Sequence, residues 1–360
     1  MRLWLGVMLA LAGLAGCTST PVAPVLPPVS AEAAPRLGPA GLPAPQPEAQ
    51  GRVGGAGKDW LVYLPAAGDT LEGIAQRYLG SPLKAWQIAQ ANAEAGAPEA
   101  GRALRVPLTP PPPWGVSREG LQTVTVLCYH RFAAGKGPTR SKMILAADDF
   151  EAQLMWLQRE RYRALRTGEF QAFIEGREAV PPRSVMLTVD DGFATFFEHA
   201  FPLLKKYQVP VTLFIFTDVI GLPSGLSWQQ LRELARSGLV DIQAHSRTHR
   251  NLTELQAREN DVQYRRNLQQ ELRHPRAELE KQLGMLGVKV QHFAYPYGAS
   301  NDKVIDALNQ EGYALGFTVR AGGNAFYEQP QLIRRTMIYG DQTLDEFTAR
   351  VQASRPLSQP

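Results

Sequence analysis

The stretch from Ser184 to Gly192 is an apolar segment that ends in two adjacent carboxylates, Asp190 and Asp191, and a glycine. Its Val, Met and Leu residues are typical of a parallel strand covered on both faces, and the glycine permits a sharp exit. Neighbouring carboxylates repel each other unless a cation or a proton intervenes. The pair is therefore explained if one carboxylate binds a metal and the other stays free as a base. The alternative is a surface turn, because Asp-Gly is common in turns.

A second apolar segment begins at Leu239 and runs into His-Ser-Arg-Thr-His at residues 245–249. Imidazoles four residues apart can converge on one ion, and with Asp191 they would form a two-histidine, one-carboxylate site with room for water. A histidine pair at this spacing is frequent by chance. Two strand ends that carry an Asp-Asp pair and a His-x-x-x-His pair are harder to explain without a metal.

From residue 123 onward, strand patterns alternate with helical patterns, which favours an α/β fold with a parallel sheet or barrel. Val124–Tyr129 is the first predicted strand, and it ends at His130. The candidate residues named so far all follow predicted strands. In a barrel, catalytic residues assemble at this end of the strands. The charged stretch 253–283 interleaves acids and bases, which predicts a solvated helical surface interrupted near Pro275.

Three motifs carry a family resemblance. Thr188–Gly192, His245–His249 and Phe-Ala-Tyr-Pro-Tyr-Gly at residues 293–298 occur in an order and spacing that resembles the NodB-homology polysaccharide deacetylases (carbohydrate esterase family 4). The resemblance covers the stretch 123–350. It implies a distorted (β/α) barrel and the metal-dependent removal of acetyl groups from a glycan.

The motif residues receive separate roles. We assign Asp191, His245 and His249 as ligands of a divalent metal, with zinc as first choice, although cobalt or nickel would also suit this donor set. Asp190 is the predicted general base, and the resemblance supports this division of the pair. In the family, the tyrosine of the third motif offers its backbone N–H to the tetrahedral oxygen; the matching residue is Tyr297, although its segment could also be a simple turn.

The sequence departs from the family pattern at three places. Ala294 stands where the third motif usually opens with an arginine, so Asp190 is expected to lack that charge partner. No aspartate occupies residues 313–318, where a further partner would be expected. No histidine follows His292, so the usual late Leu-x-x-His acid is absent.

An amide leaving group still needs a proton, and His130 is the candidate general acid. The Tyr129-His130 pair at the end of the first strand resembles the subset of the family that acts on exported poly-β-1,6-N-acetylglucosamine. The alternatives for His130 are a supporting position behind the metal ligands or simple packing.

The N-terminal part predicts export and anchoring. Residues 1–16 resemble a lipoprotein signal peptide, because Leu-Ala-Gly-Cys at residues 14–17 looks like a bacterial lipobox, which implies a lipid on Cys17. The alternative is a plain secretory signal with an incidental cysteine. The residue after Cys17 is not aspartate, which fits the outer membrane, facing the periplasm. Residues 17–57 are rich in Pro, Ala and Gly and are predicted to form a tether.

A small unit is predicted at residues 58–108, followed by a proline-rich linker at 109–122. It has a strand-helix-helix-strand pattern with a capping box from Asp69 and Glu72. It resembles a LysM module at Gly-Asp-Thr-Leu (68–71), Ile74-Ala75, Tyr78, Asn92 and Leu-Arg-Val-Pro (104–107). That implies binding of glycans that contain N-acetylglucosamine, such as peptidoglycan; the alternative is a structural domain without a ligand. Residues 351–360 are expected to be a tail.

The predicted function is removal of N-acetyl groups from a polysaccharide that contains N-acetylglucosamine, either exported poly-N-acetylglucosamine or peptidoglycan, at the bacterial envelope. One alternative is a glycan-binding lipoprotein with an inactive deacetylase-like domain. Another is an O-acetyl esterase of the same fold. The net charge of +4 suits an anionic envelope and does not indicate a nucleic-acid partner.

Overall fold

The structure is a computed structural model that describes residues 49–92, 97–112, 115–116, 120–137, 139, 141–351 and 354–355. Within these ranges, none of the helices has the length and apolar character needed to cross a membrane.

The described residues form strands and helices in an alternating order. The strands are β1 (Arg52–Ala56), β2 (Trp60–Leu64), β3 (Leu104–Pro107), β4 (Leu121–Gln122), β5 (Val124–Tyr129), β6 (Arg131–Ala133), β7 (Ile144–Ala146), β8 (Arg163–Ala164), β9 (Ser184–Val189), β10 (Val211–Ile215), β11 (Val240–Ala244), β12 (His292–Ala294), β13 (Leu315–Phe317), β14 (Gly323–Asn324), β15 (Thr336–Met337) and β16 (Ser354–Arg355). The α-helices are α1 (Leu71–Leu79), α2 (Ala85–Ala91), α3 (Ala147–Arg159), α4 (Thr167–Ile174), α5 (Phe201–Tyr207), α6 (Trp228–Arg236), α7 (Asp261–Leu283), α8 (Asp302–Gln310) and α9 (Leu344–Arg350).

The first part of the described chain is a three-stranded antiparallel sheet, β1-β2-β3, with α1 and α2 between the second and third strands. Strand β1 lies inside the stretch predicted to be a tether and extends this unit towards the N-terminus. The buried carboxylate of Asp69 accepts hydrogen bonds from the backbone N–H groups of Gln50 and Gly51, which attaches the strand to the unit.

The predicted capping box at Asp69 is wrong. The N-cap of α1 is Thr70, whose hydroxyl accepts a hydrogen bond from the Gly73 N–H. Asp69 points inward instead, where it also accepts hydrogen bonds from the Tyr63 hydroxyl and the Ala66 N–H. These donors hold the pKa of Asp69 below its usual value, although burial alone would raise it.

A second, larger sheet contains six parallel strands in the order β13-β12-β11-β10-β9-β5. The segment from Ile333 to Met337 connects the two ends of this row. Ile333 forms a parallel bridge with Phe317 at the end of β13, and β15 pairs in parallel with β5. The row therefore closes into a distorted barrel, as the family resemblance implied.

Alternation along each strand sorts the side chains between the barrel interior and the outer helices. On β9, the side chain of Met186 packs with the apolar residues inside the barrel. Those of Val185 and Leu187 pack with the apolar residues of the helices outside it. Because the period is two, Asp190 continues the inner face of β9. The same period starting from Ile333, another inner residue, directs Arg335 into the barrel.

Helix α7 corrects the prediction for the charged stretch. It runs without interruption through Pro275, and its buried face includes Leu268, Glu271 and Leu272. The helix is therefore amphipathic rather than solvated on all sides. The buried glutamate, Glu271, contacts the turn between His245 and His249.

A buried histidine inside the barrel generates a prediction about acid stability. His292 is buried, and its Nδ1 has no hydrogen-bond partner among the residues that the structure describes. Burial lowers its pKa to about 4, against an opposing effect of the Asp241 and Glu175 charges. The unfolded chain therefore binds this proton more tightly, so stability is lost as the pH falls from 6.5 towards 4, by about 3 kcal/mol.

We expect His292→Gln to flatten the dependence of the free energy of unfolding on pH over this window, as measured by urea unfolding at a series of pH values. An unchanged slope in the variant would assign the acid sensitivity to other groups.

Candidate metal centre and active site

The ends of β9 and β11 bring an aspartate and two histidines together. The Oδ1 atom of Asp191 lies 3.2 Å from Nε2 of His249 and 3.5 Å from Nε2 of His245. The three side chains offer one oxygen and two nitrogens within 4.8 Å of one another. The sequence predicted this grouping, and the parallel pairing of β9, β10 and β11 produces it by placing both strand ends on the same rim.

The donor atoms fit a divalent cation. Oδ1 of Asp191 is buried and has no hydrogen-bond partner within the described residues, which is unfavourable unless a cation or proton meets it. Nδ1 of His245 lies 2.7 Å from the carbonyl oxygen of Ala294. Nδ1 is therefore the protonated nitrogen, and the lone pair of Nε2 is directed towards Asp191. One oxygen and two imidazole nitrogens with open positions suit zinc or a similar transition metal.

The electrostatics around these atoms favour a positive charge. Burial would raise the pKa of Asp191, but the neighbouring imidazoles of His245 and His249 outweigh it and hold the pKa well below its usual range. Burial would lower the pKa of His245, but the negative charges of Asp190 and Asp191 raise it. The two carboxylates thus attract a cation to this point.

The first aspartate of the pair has a partner that the sequence analysis missed. Asp190 was expected to lack the arginine of the third motif, because Ala294 replaces it. Asp190 nevertheless has a cationic partner, which comes from another part of the chain. Both oxygens of Asp190 accept hydrogen bonds from the guanidinium of Arg335, at 2.6 and 2.7 Å. Both side chains are almost completely buried, with 2% and 0% of the side chain exposed.

The barrel fixes Arg335 in place. Its Nε donates to the carbonyl of Thr318, and a terminal nitrogen also approaches the hydroxyl of Thr188 at 3.3 Å. Thr318 lies at the end of β13, in the segment where the sequence analysis found no further charged partner. That segment contributes a backbone carbonyl, which orients the arginine.

The ion pair keeps Asp190 ionised. Burial would raise the pKa of Asp190, but the charges of Arg335 and His245 and the hydrogen bonds from Arg335 lower it below the usual value. Oδ2 of Asp190 lies 3.9 Å from Nε2 of His245 and 3.6 Å from the thiol of Cys128, which donates to it. Asp190 is thus an ionised carboxylate beside the ligand group, with Arg335 as its main partner.

His130 joins the same site from the end of β5. One of its ring nitrogens, the thiol of Cys128 and an oxygen of Asp190 lie within 4.8 Å of one another. Burial lowers the pKa of His130, and the positive charges of Arg335 and His245 act in the same direction, against the two aspartates. The neutral ring is therefore favoured near neutral pH.

Tyr297 lies on the other side of the ligands. Its ring meets that of His249 edge to face, with centroids 4.8 Å apart, and its side chain is 65% exposed. The structure gives its backbone N–H no hydrogen-bond partner among the described residues. This donor is available to an oxygen of a substrate.

Backbone strain is concentrated around these residues. Asp191, Ser246, His249 and Tyr297 all have φ between 60° and 76° although none is glycine. Left-handed conformations of this kind cost about 1 kcal/mol or more per residue and persist only where surrounding contacts impose them. The site is therefore held in a conformation that the local sequence does not favour.

Comparison with known proteins bears on this site. Residues 177–316, which contain Asp190, Asp191, His245 and His249, match the polysaccharide deacetylase family model. This part of the chain resembles polysaccharide deacetylase domains. The chain is 29% identical over 181 residues to the poly-beta-1,6-N-acetyl-D-glucosamine N-deacetylase of Staphylococcus aureus (strain MRSA252). That match covers 49% of this chain and 61% of the relative, so the chain spans less than two thirds of the relative's length.

Two solved structures resemble the deacetylase domain and its surroundings. IcaB from Ammonifex degensii is 28% identical with a TM-score of 0.55, and the match covers 64% of this chain and 98% of that chain. The deacetylase PplD of Streptococcus pyogenes, solved in complex with acetate, is 22% identical with a TM-score of 0.56 and the same coverage. The likeness to PplD supports the fold alone.

Within the deacetylase domain and its flanking strands, the structure gathers most of the predicted site residues. Asp190, Asp191, His245, His249 and His130 are in one group, and Tyr297 contacts it through His249. Their catalytic and ligand roles remain predictions. Cys17 lies outside the described residues.

Sequence reasoning missed Arg335 and Glu271. Arg335 stands with Arg334 and Thr336 between two apolar pairs, Leu332-Ile333 and Met337-Ile338. A charged residue inside such a strand pattern is a signal of a buried partner, although nothing local names that partner. Glu271 had no comparable signal, because charges surround it in the sequence.

The buried ion pair generates a stability prediction. Arg335→Met keeps an unbranched apolar stem but leaves Asp190 buried without its cation, so we expect a loss of about 3–5 kcal/mol in the free energy of unfolding. Denaturant unfolding of the parent and the variant measures this loss.

The double variant Arg335→Met/Asp190→Asn, which no longer buries a lone charge, should recover part of the lost stability. A single variant within 1 kcal/mol of the parent would contradict the importance of the pair.

Proposed function

We propose that this chain is a metal-dependent N-deacetylase of a polysaccharide that contains N-acetylglucosamine. The observation that carries the proposal is the arrangement of Asp190. It is an ionised, buried carboxylate that lies beside a three-residue ligand group, with one oxygen 3.9 Å from Nε2 of His245. A carboxylate in this arrangement would act as a base towards a water that a bound cation activates.

The relatives favour one substrate class. The Staphylococcus aureus relative is named as a deacetylase of poly-β-1,6-linked N-acetylglucosamine, and the sequence pair Tyr129-His130 resembles enzymes that act on this polymer. We therefore propose exported poly-β-1,6-N-acetylglucosamine as the first candidate and peptidoglycan as the second.

Asp191, His245 and His249 would hold the cation, with zinc as the first choice. When bound, the cation would acidify a water and polarise the acetyl carbonyl. Asp190 would accept the proton that the attacking water loses, because its ionised form is stabilised by Arg335. Arg335 also prevents the carboxylate from rotating, since it engages both oxygens.

Two further residues would act on the substrate. The backbone N–H of Tyr297, which has no partner within the described residues, would donate to the oxyanion. His130 would protonate the leaving amine. Since its neutral ring is favoured, it must first receive a proton, and Asp190, within 4.8 Å, is the nearest group that has just gained one.

The inactive-scaffold alternative loses one of its two supports. It rested on the missing arginine of the third motif and on the missing late histidine. Arg335 now supplies a guanidinium to Asp190 from another strand. The position of His130 offers a replacement for the histidine. An O-acetyl esterase remains an outcome that the experiment below separates.

The placement of the enzyme is also part of the proposal. A lipid on Cys17 and a tether after it would attach the chain to the outer membrane, facing the periplasm. The unit formed by β1 to β3 with α1 and α2 would bind peptidoglycan in the manner of a LysM module. The order β2, α1, α2, β3 agrees with that type of module.

The activity is tested by acetate release from β-1,6-linked N-acetylglucosamine oligomers, chitin oligomers and peptidoglycan by the purified chain loaded with zinc. We expect release from the β-1,6-linked oligomers, and a decrease in kcat by a factor of about 10² to 10⁴ in Asp190→Asn, because this variant lacks the base.

Asp190→Asn should retain the metal, whereas Asp191→Asn should lose both metal and activity. Acetate release from O-acetylated but not N-acetylated glycans would identify an esterase. Metal binding without acetate release from any of them would favour the glycan-binding scaffold.

The role of His130 is tested by the choice of leaving group. An amine must be protonated to leave, whereas a phenolate leaves without a proton. We expect His130→Ala to lower kcat on N-acetylated oligomers by about 10²-fold or more and to change the hydrolysis of 4-nitrophenyl acetate much less. Equal losses on the two substrates would assign His130 to packing or metal support.

A further inference from the structure

The two histidine ligands are joined by a turn that is strained. Ser246 has φ 71° and His249 has φ 63°, so two of the five residues from His245 to His249 are left-handed without being glycine. Only one hydrogen bond within the turn supports this shape, from the His249 N–H to the Ser246 hydroxyl, at 2.9 Å. Such a conformation requires contacts from another part of the fold.

Two kinds of contact meet the turn. The backbone N–H groups of Thr217 and Asp218 donate to the carbonyls of Ser246 and Arg247, at 3.2 and 2.9 Å. Helix α7 provides the contacts to the N–H groups of the turn, through one side chain. One carboxylate oxygen of Glu271 accepts hydrogen bonds from the backbone N–H groups of Arg247 and Thr248, each at 2.9 Å. The other oxygen accepts the Thr248 hydroxyl at 2.7 Å. Together with the hydroxyl of Ser246, these contacts occupy the N–H groups of the three residues that end in His249.

The surroundings of Glu271 show that its charge is matched to this turn. The residue is 5% exposed, and the described part of the chain gives it no ion pair with a lysine, arginine or histidine. A buried carboxylate without an ionic partner is unfavourable unless several donors meet it. All of its hydrogen-bond donors come from Arg247 and Thr248, the two residues directly before His249.

A second contact holds the chain just after the ligand. Arg250 forms a two-point ion pair with Glu259, at 2.9 and 2.7 Å, and Glu259 precedes the first residue of α7. The turn is thus attached to the α7 region on both sides of His249. Between the two ligands, Glu271 is the side chain that accepts the backbone N–H groups of Arg247 and Thr248.

We propose that Glu271 is a positioning residue for the metal centre, and that it holds the 245–249 turn in the shape that directs Nε2 of His249 towards Asp191. The proposal deepens the proposed function, because it concerns the same ligand group. It predicts that the metal affinity of the site depends on a residue of α7 that contacts none of the ligand atoms.

The test measures the affinity of the full chain for Zn²⁺ alone, by competition with a chromophoric chelator at a temperature where every variant is folded. We expect Glu271→Ala to weaken zinc binding about 10- to 100-fold, as is typical for residues that orient metal ligands. Glu271→Gln should restore binding to within a few-fold, since its amide oxygen can accept the two N–H groups. Thr248→Val, which removes one hydroxyl and should leave folding intact, should weaken binding by a smaller factor.

The matched control is Glu280→Ala on the same helix. Glu280 also accepts a backbone hydrogen bond, from Val290 at 2.9 Å, but lies away from the ligand turn. Unchanged zinc affinity in both Glu271→Ala and Thr248→Val would overturn the proposal, as would an equal loss in Glu280→Ala. A parent chain that binds no zinc would also overturn it. A parent chain that binds zinc but releases no acetate would refute the proposed activity and leave the role of Glu271 intact.

Discussion

The ion pair between Arg335 and Asp190 links the closure of the barrel to the chemistry of its rim. Arg335 belongs to the segment that bridges β13 and β5, and its side chain enters the interior that closure creates. Two buried charges in an apolar barrel are tolerable only when their geometry is good, and this pair has two short hydrogen bonds and a carbonyl that orients the guanidinium. Asp190 can therefore be ionised and buried at once, but only in a barrel that has closed.

The turn from His245 to His249 is stabilised in a different way. The predicted metal ligands come from strands whose parallel pairing places their ends together, which requires nothing special of the loops. The turn itself is strained at Ser246 and His249, and the side chain that accepts its N–H groups comes from a long helix packed outside the barrel. The strain resides at the site, and contacts that offset it lie in α7. This division is common where a site must be held more rigidly than its own sequence would hold it.

Sequence reasoning worked best where the signal was local. The apolar run before Asp190 and Asp191 and the spacing of His245 and His249 predicted the strands and the ligand group that the structure contains. It failed where one residue depends on another far away. The expectation for the partner of Asp190 considered only the third motif, whereas Arg335 is 145 residues from Asp190 in the chain. The capping box at Asp69 and the break at Pro275 failed because tertiary contacts outweighed local preference.

By itself, the sequence determined which residues end strands and therefore share a rim, because the alternation of strands and helices and the two-residue period are properties of neighbouring positions. Only the tertiary structure decided which partner each buried charge received. Asp190 pairs with Arg335, and Glu271 holds the turn before His249, because a closed barrel with its outer helix brings distant residues within hydrogen-bond range. The physical reason is that the cost of burying a charge is met by any correctly placed donor in space, whatever its position along the chain.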